Sequence, residues 1–335
     1  MPAARNPLLD APGMATARER VEERLRSAVE TPEAAMTEMA SHLITAGGKR
    51  LRPLLAVAAA ASSTGAPGGP ADDGTGDDAV TGGVAVELVH IGSLYHDDVI
   101  DEAETRRGAE SVNARWGNLR AILAGDFLLA RASELAASLG TEVAGLLAAT
   151  IGRLCEGEVR ELQRAYQVDR TEADYRAAIE GKTASLFATA CRIGGIVADL
   201  PRDRIDALGE FGLRYGVAFQ IVDDVLDVVA TDAELGKPAG HDMAEGVYNL
   251  PVLRALAGPG GDELAALLGG PLTAEARASA LALVRAGDGV AQAMDAADDA
   301  VESAVAALAS LSASPAGEAL AGAARHLLVG VADRV

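Results

Sequence analysis

The chain has 335 residues, a formal net charge of −20 at neutral pH, 49% apolar residues and only 3% aromatic ones. That length can bury a full core as one large domain or two ordinary ones. The acidic balance excludes nucleic acid as a partner, because phosphate backbones attract basic faces, and leaves an anionic small substrate only if local cations or metal ions offset the repulsive field.

The start, MPAARNPLLDAPG, contains no apolar core of signal-peptide length, and residues 1–14 read as a disordered tail. Helical spacing begins near Ala15, and Thr31-Pro32-Glu33 predicts a cap with a proline in the first turn of the next helix. The longest uncharged run, residues 53–71, dissolves into Gly and Pro and cannot span a bilayer. Residues 62–83, rich in Gly and Asp, read as a flexible loop between helices.

Beyond that loop the spacing predicts helix after helix, over 84–103, 117–139, 141–167, 171–200 and 202–230, then shorter ones to the end. Gly140, Pro201 and the turn at 169–171 punctuate them. Alanine and leucine at helical spacing dominate, with no sustained period-two alternation and no βαβ rhythm. The reading is an all-α, single-domain bundle with long central helices around one core. Cys155 and Cys191, both beside apolar residues, offer no disulfide framework, so a soluble protein of a reducing, cytoplasmic compartment is expected.

Two stretches carry chemistry. LYHDDVIDEAETRRG, residues 94–108, and FQIVDDVLD, residues 219–227, repeat one DDxxD spacing. On a helix, positions i and i+4 share a face, so Asp97 pairs with Asp101 and Asp223 with Asp227. Like charges so placed repel and weaken an isolated helix. Paired hard oxygen donors suit Mg²⁺, which keeps several waters and completes its shell with substrate phosphates. The bland alternative is two solvated acidic faces. One chance DDxxD is expected in roughly one such chain in seven, and two in about one in a hundred. The apolar approaches Gly92-Ser93-Leu94-Tyr95 and Val217-Ala218-Phe219 also argue against simple solvent exposure.

Cations are sparse. Lys49, Arg50 and Arg52 follow two glycines in GGKRLRP; Arg106 and Arg107 follow the first acidic motif; Lys182 stands in EGKTAS and Lys237 in ELGKPAGHD. Taken singly, each is an ordinary surface charge. EGKTAS is no P-loop, since Arg176 occupies the place of the required first glycine. His42, His90, His96 and His241 lack zinc spacing, and neither a GxSxG elbow nor a base partner for cysteine supports covalent catalysis.

Together, GGKRLRP, VELVHIGSLYHDDVIDEAETRRG, EGKTAS, FQIVDDVLD and LGKPAGHD resemble the trans-isoprenyl diphosphate synthases, in that family's order and over nearly the whole chain after residue 15. The resemblance implies an all-α bundle around a deep central cavity, usually a homodimer. It implies that Lys49, Arg52, His90 and Arg107 hold the diphosphate of isopentenyl diphosphate, and that Arg106, Lys182 and Lys237 hold the allylic diphosphate. Asp97 and Asp101 would ligate two Mg²⁺ ions and Asp223 with Asp227 a third. Thr183 and Gln220 would face the allylic cation, with Asp98 and Asp224 acting behind the ligands.

One position departs from the pattern: Val247 stands where many relatives carry a further lysine. Gly92 and Ser93, one turn before Asp97, lack the bulk that floors the pocket in short-chain relatives. The resemblance therefore implies a long-chain product such as a quinone side chain needs, with Phe127 a candidate for a lower floor and Tyr95 pointing elsewhere. A short-chain synthase, a terpene cyclase and a catalytically silent subunit are the rivals. GGKRLRP argues against the cyclase, which needs no isopentenyl site, and two complete aspartate motifs argue against the silent subunit.

Overall fold

The computed structural model describes residues 6–62, 75–235, 238–311 and 314–331. The chain opens with α1 (Pro7–Asp10), α2 (Met14–Ala28), α3 (Ala34–Thr45) and α4 (Leu51–Ala61). The long α5 (Thr75–Ile100) leads into a two-residue hairpin, β1 (Thr105–Arg106) against β2 (Ala109–Glu110), and then α6 (Val112–Trp116). Next come α7 (Asn118–Ser138), α8 (Thr141–Gln163), α9 (Glu172–Ile179), a π-helical turn at Glu180–Ala184, α10 (Ser185–Val197) and α11 (Arg202–Val229). The rest is α12 (Asp232–Leu235), α13 (His241–Ala244), α14 (Leu250–Ala257), α15 (Gly261–Leu267), α16 (Ala274–Ala286), α17 (Gly289–Ala307) and α18 (Pro315–His326). The all-α expectation holds; the helices expected over 117–139 and 202–230 appear nearly to the residue, and the one expected over 141–167 ends early, at Gln163.

Four expectations need correction. Asn6 caps α1 by accepting from the Leu8 amide, and Leu8 is fully buried, so the tail read as disordered is packed from residue 6 onward. The apolar pair Leu8-Leu9 supplies the burial that a Pro- and Gly-rich context concealed. Glu33, not Thr31, flanks the start of α3, and the Thr31 backbone is instead bonded to the Thr37 hydroxyl. The expected helix over 171–200 is interrupted by the π turn at Glu180–Ala184.

The fourth concerns the loop expected over 62–83. Thr75 to Gly83 belongs to α5, and residues 63–74 lie outside the described residues. Gly82 and Gly83 are buried contacts, not loop punctuation: a Cβ on Gly83 would sit 2.8 Å from the Pro53 Cα of α4. A helix can carry glycine at about 1 kcal/mol when close packing repays it.

The same device recurs where α10 meets α11. A Cβ on Gly212 would lie 2.6 Å from Phe187 O, and one on Gly216 2.5 Å from the Ala184 Cα. Small residues thus bring the backbones of α4, α5, α10 and α11 close enough to form one core. Three of the four phenylalanines gather here, with the Phe187 ring 5.2 Å from Tyr215 and 5.3 Å from Phe219. Both acidic motifs ride on the ends of these central helices, α5 and α11. The two hollows described lie beside α14–α17 and between the end of α11 and α16. Neither is lined by a motif aspartate.

Candidate active site

Asp97 and Asp101 lie one turn apart where α5 ends, Asp97 half-buried and Asp101 exposed. Asp98 turns inward, fully buried, and accepts from the Arg106 guanidinium at 2.6 Å. Arg106 and Arg107 are not on the helix, which stops at Ile100; the β1–β2 hairpin folds them back towards it. Arg107 sits at φ +55° and donates to Gly47 O at 2.6 Å and Leu43 O at 3.2 Å. The segment before α4 is thereby tied to the first motif.

The three cations of GGKRLRP divide sharply. Arg50 is a structural residue: its side chain has no exposure and donates to Glu22 at 2.8 Å, Glu87 at 3.0 Å and Ile44 O at 2.8 Å. Arg52 lies 4.2 Å over the Phe187 ring, its Nε has no protein partner, and burial pushes its pKa down to about 10 against the pull of Glu87. Lys49 is exposed. A Cβ on Gly48 would come 3.0 Å from Arg50 Nη1 and 3.2 Å from Arg107 Nη1, so glycine lets these guanidiniums crowd the backbone. His90 is held well below the usual imidazole pKa, by burial first and then by Arg52, Arg107, Arg50 and Arg106. A neutral imidazole ringed by arginines is a ready recipient for an anion.

Lys182 and Thr183 stand on the π turn, a form frequent at functional sites. The Lys182 ammonium lies 2.7 Å from both Glu158 and Glu161 of α8, and its pKa is raised by those carboxylates and Asp97 despite burial. Gly157 permits this approach, since a Cβ there would lie 2.5 Å from the Lys182 amide nitrogen. Thr183 Oγ1 bonds Gln220 Oε1 at 2.7 Å, so the turn joins α8 to α11.

On α11, Asp223 is exposed while Asp224 and Asp227 are buried. The chain after α12 folds over this end: the Gly240 amide donates to Asp227 O at 2.8 Å and the Asp242 amide to Asp227 Oδ2 at 3.4 Å. Val247 is half-buried nearby, its amide donating to Asp242 O at 2.8 Å. Lys237 lies outside the described residues.

The acidic groups of the first motif are desolvated and crowded by other carboxylates. Burial pushes Asp97 up to about 7, with Lys182 opposing and Glu158 and Asp101 adding to the rise. Desolvation likewise pushes Asp101 up to about 6, with Lys182 opposing and Glu245 and Glu158 adding. A nearby cation would offset the cost that burial and neighbouring carboxylates impose on the charged forms. Among the described residues no three His, Cys, Asp or Glu side chains converge as a closed cage. Paired oxygens with open positions fit Mg²⁺, whose shell water and phosphate complete, and do not fit a structural zinc.

Residues 33–282 match the sequence profile described as polyprenyl synthetase. The chain belongs to the polyprenyl synthetase family. It is 42% identical to the nonaprenyl diphosphate synthase of Mycobacterium tuberculosis, over 82% of this chain and 81% of that one. The fold is similar to a polyprenyl synthase from Caulobacter crescentus solved with calcium and isoprenyl diphosphate, with TM-score 0.89 and 34% identity over 100% of this chain and 99% of that chain. It is also similar to a decaprenyl diphosphate synthase from Rhodobacter capsulatus, with TM-score 0.86 and 34% identity over 98% of each. The enzyme is a prenyltransferase, a trans-polyprenyl diphosphate synthase.

At the level expected to set chain length, a Cβ on Gly92 would sit 3.1 Å from Gly125 O and 3.4 Å from the Leu128 Cβ, so this position faces α7 closely. Ser93 is half-buried and donates to His90 O at 2.9 Å. Tyr95 points away, as expected, its hydroxyl donating to Met39 O at 2.7 Å. Phe127 is half-buried on α7.

Sequence reading missed Glu87, Glu158, Glu161 and Tyr175. Glu87 stands inside the first acidic motif but looks like any polar residue of a helix, and Tyr175 has no local pattern around it. Only Glu158 and Glu161, three apart on one helix face, left a signal, and that spacing is common on solvated helices.

Proposed function

We propose that the enzyme joins isopentenyl diphosphate head to tail to an allylic diphosphate, repeatedly, to build a long all-trans polyprenyl diphosphate. The observation that carries this is Lys182, held 2.7 Å from Glu158 and Glu161, beside Asp97 of α5 and next to Thr183, which bonds Gln220 of α11. A cation so anchored beside paired carboxylates is suited to a diphosphate that arrives with metal.

Asp97, Asp101, Asp223 and Asp227 would hold Mg²⁺, three ions in the full site. When bound, the metal supplies electrostatic stabilisation to the departing diphosphate. Lys182, Arg106 and Lys237 bind the allylic diphosphate, with Asp98 aiming Arg106 through its 2.6 Å bond. Lys49, Arg52, His90 and Arg107 bind the diphosphate of isopentenyl diphosphate, and neutral His90 adds a donor without burying a further positive charge. The allylic C–O bond breaks with its electron pair leaving on the diphosphate. The isopentenyl double bond then attacks the allylic carbon, and the proton lost from the adjacent carbon goes to the released diphosphate. The reaction requires that water, which would otherwise capture the cation, be kept from it.

Gly92, packed against α7, and half-buried Ser93 put no bulky side chain at this level of α5, which supports a product of octaprenyl to decaprenyl size such as a quinone side chain needs. A second copy of the chain would cover the α7 face where Leu119, Ile122 and Leu123 are exposed, Leu119 by 72%. No described helix is long and apolar enough to cross a membrane, and with Cys155 and Cys191 unpaired the cytoplasm is its proposed place.

Labelled isopentenyl diphosphate, offered with each allylic primer, tests the reading. Asp97→Asn and Asp223→Asn should lower turnover by orders of magnitude, with helix content by circular dichroism unchanged. Near-normal turnover of either variant, or of the wild type in chelator, would sink the metal assignment. A wild-type product that stops at geranylgeranyl diphosphate would sink the long-chain reading, and a monomer by light scattering the second copy.

A further inference from the structure

A chain of three hydrogen bonds connects Thr183 to a residue outside every motif. The Tyr175 hydroxyl, on α9, donates to Asp224 Oδ2 at 2.5 Å. The other oxygen of that carboxylate accepts from Gln220 Nε2 at 2.9 Å, and Gln220 Oε1 faces Thr183 Oγ1 at 2.7 Å. Tyr175 is 3% exposed and Asp224 4%, so bulk water does not replace these bonds.

The chain has a direction. Asp224 is the acceptor in both of its bonds, whereas an amide presents a donor at one end and an acceptor at the other. With Asp224 held on one side by Tyr175, Gln220 must turn its NH₂ towards the free carboxylate oxygen. Its carbonyl oxygen is then left for Thr183, which uses its single proton there. Only the lone pairs of Thr183 remain to face a bound reactant.

We propose that Tyr175 is a positioning residue for prenyl transfer: acting through Asp224 and Gln220, it fixes the Thr183 hydroxyl with lone pairs, not proton, towards the carbon that becomes cationic. The inference rests on the proposed role of Thr183 and Gln220 beside the allylic cation. Without the tyrosine hydroxyl, Asp224 loses the donor that fixes its rotation. Asp224 can then turn its Oδ1 away from Gln220 Nε2, which frees the amide to flip, and Thr183 can turn its proton inward, the wrong end of the dipole for a cation.

Tyr175→Phe should lower kcat about tenfold, the scale of one lost hydrogen bond, with both Michaelis constants within about twofold of the wild type because no diphosphate ligand is touched. Thr183→Val should also slow turnover. In the Thr183→Val background, adding Tyr175→Phe should change kcat by less than about twofold, because the hydroxyl it orients is gone. Independent, multiplying effects would overturn the inference, as would Michaelis constants rising at constant kcat. If Thr183→Val turns over like the wild type, the role of Thr183 fails and takes the inference with it; additive effects with a slow Thr183→Val variant overturn the inference alone. Should Tyr175→Phe not fold, Asp224→Asn enters the same cycle, since its amide donates as well as accepts and leaves Gln220 without one imposed orientation.

Discussion

Arg50 and Arg52 stand two residues apart in one motif, and the structure gives them opposite duties. Removing the Arg50 guanidinium by Arg50→Met would leave Glu87, whose side chain is 3% exposed, without its 3.0 Å partner, and Glu22 without its 2.8 Å one. Breaking a buried ion pair from one side costs about 3–5 kcal/mol. Arg52 and Arg107 both act electrostatically on Glu87, which holds the expected cost near the lower end, about 3 kcal/mol. At roughly 2.1 cal/mol/K of unfolding entropy per residue, a chain of this length has about 0.7 kcal/mol/K, so Tm should fall by about 4 °C. Glu87→Gln in the same chain should recover part of that loss by removing the stranded charge. Arg52→Met should instead keep Tm within about 2 °C, since no ion pair breaks, and raise the Michaelis constant for isopentenyl diphosphate more than that for the allylic primer. Calorimetry and steady-state kinetics on the same preparations decide the matter. An Arg50→Met protein with wild-type Tm but weakened isopentenyl diphosphate would refute the division of labour.

Gly92→Phe should shorten the products towards farnesyl or geranylgeranyl size and also cost about 1–3 kcal/mol, because the new ring must press on α7 near Gly125 O. Chromatography of the dephosphorylated products checks the first point, and unchanged product length would show that the tail runs elsewhere. His90 supplies a pH dependence. Its folded-state pKa lies well below 6.5, so the unfolded chain binds a proton that the folded one refuses, and stability is lost as pH falls below about 6.5. His90→Gln should remove up to about 1.4 kcal/mol per pH unit of that slope, read from urea unfolding between about pH 6.5 and 5. Parallel slopes for the two proteins would count against a neutral, arginine-ringed imidazole.

The sequence alone determined whatever depends on spacing along a helix. The i, i+4 pairing of Asp97 with Asp101 and of Asp223 with Asp227 follows from 3.6 residues per turn, and so do the extents of α7 and α11. Composition decided the all-α class, since alanine and leucine without β-branched alternation leave few other options. What tertiary structure alone decided are the partnerships between segments far apart in the chain. Gly82 and Gly83 read as loop because glycine weakens a helix locally, and only the closeness of Pro53 on α4 makes them helix interior. Leu8 read as tail because its burial depends on residues elsewhere in the chain. Arg50 and Arg52 look alike in GGKRLRP; Glu22 and Glu87 neutralise one, and Phe187 carries the other. Tyr175 has no motif at all, and gains its place because α9 sets its hydroxyl 2.5 Å from Asp224. Helical periodicity is a local property of backbone geometry, whereas desolvation and charge pairing depend on which distant surfaces meet.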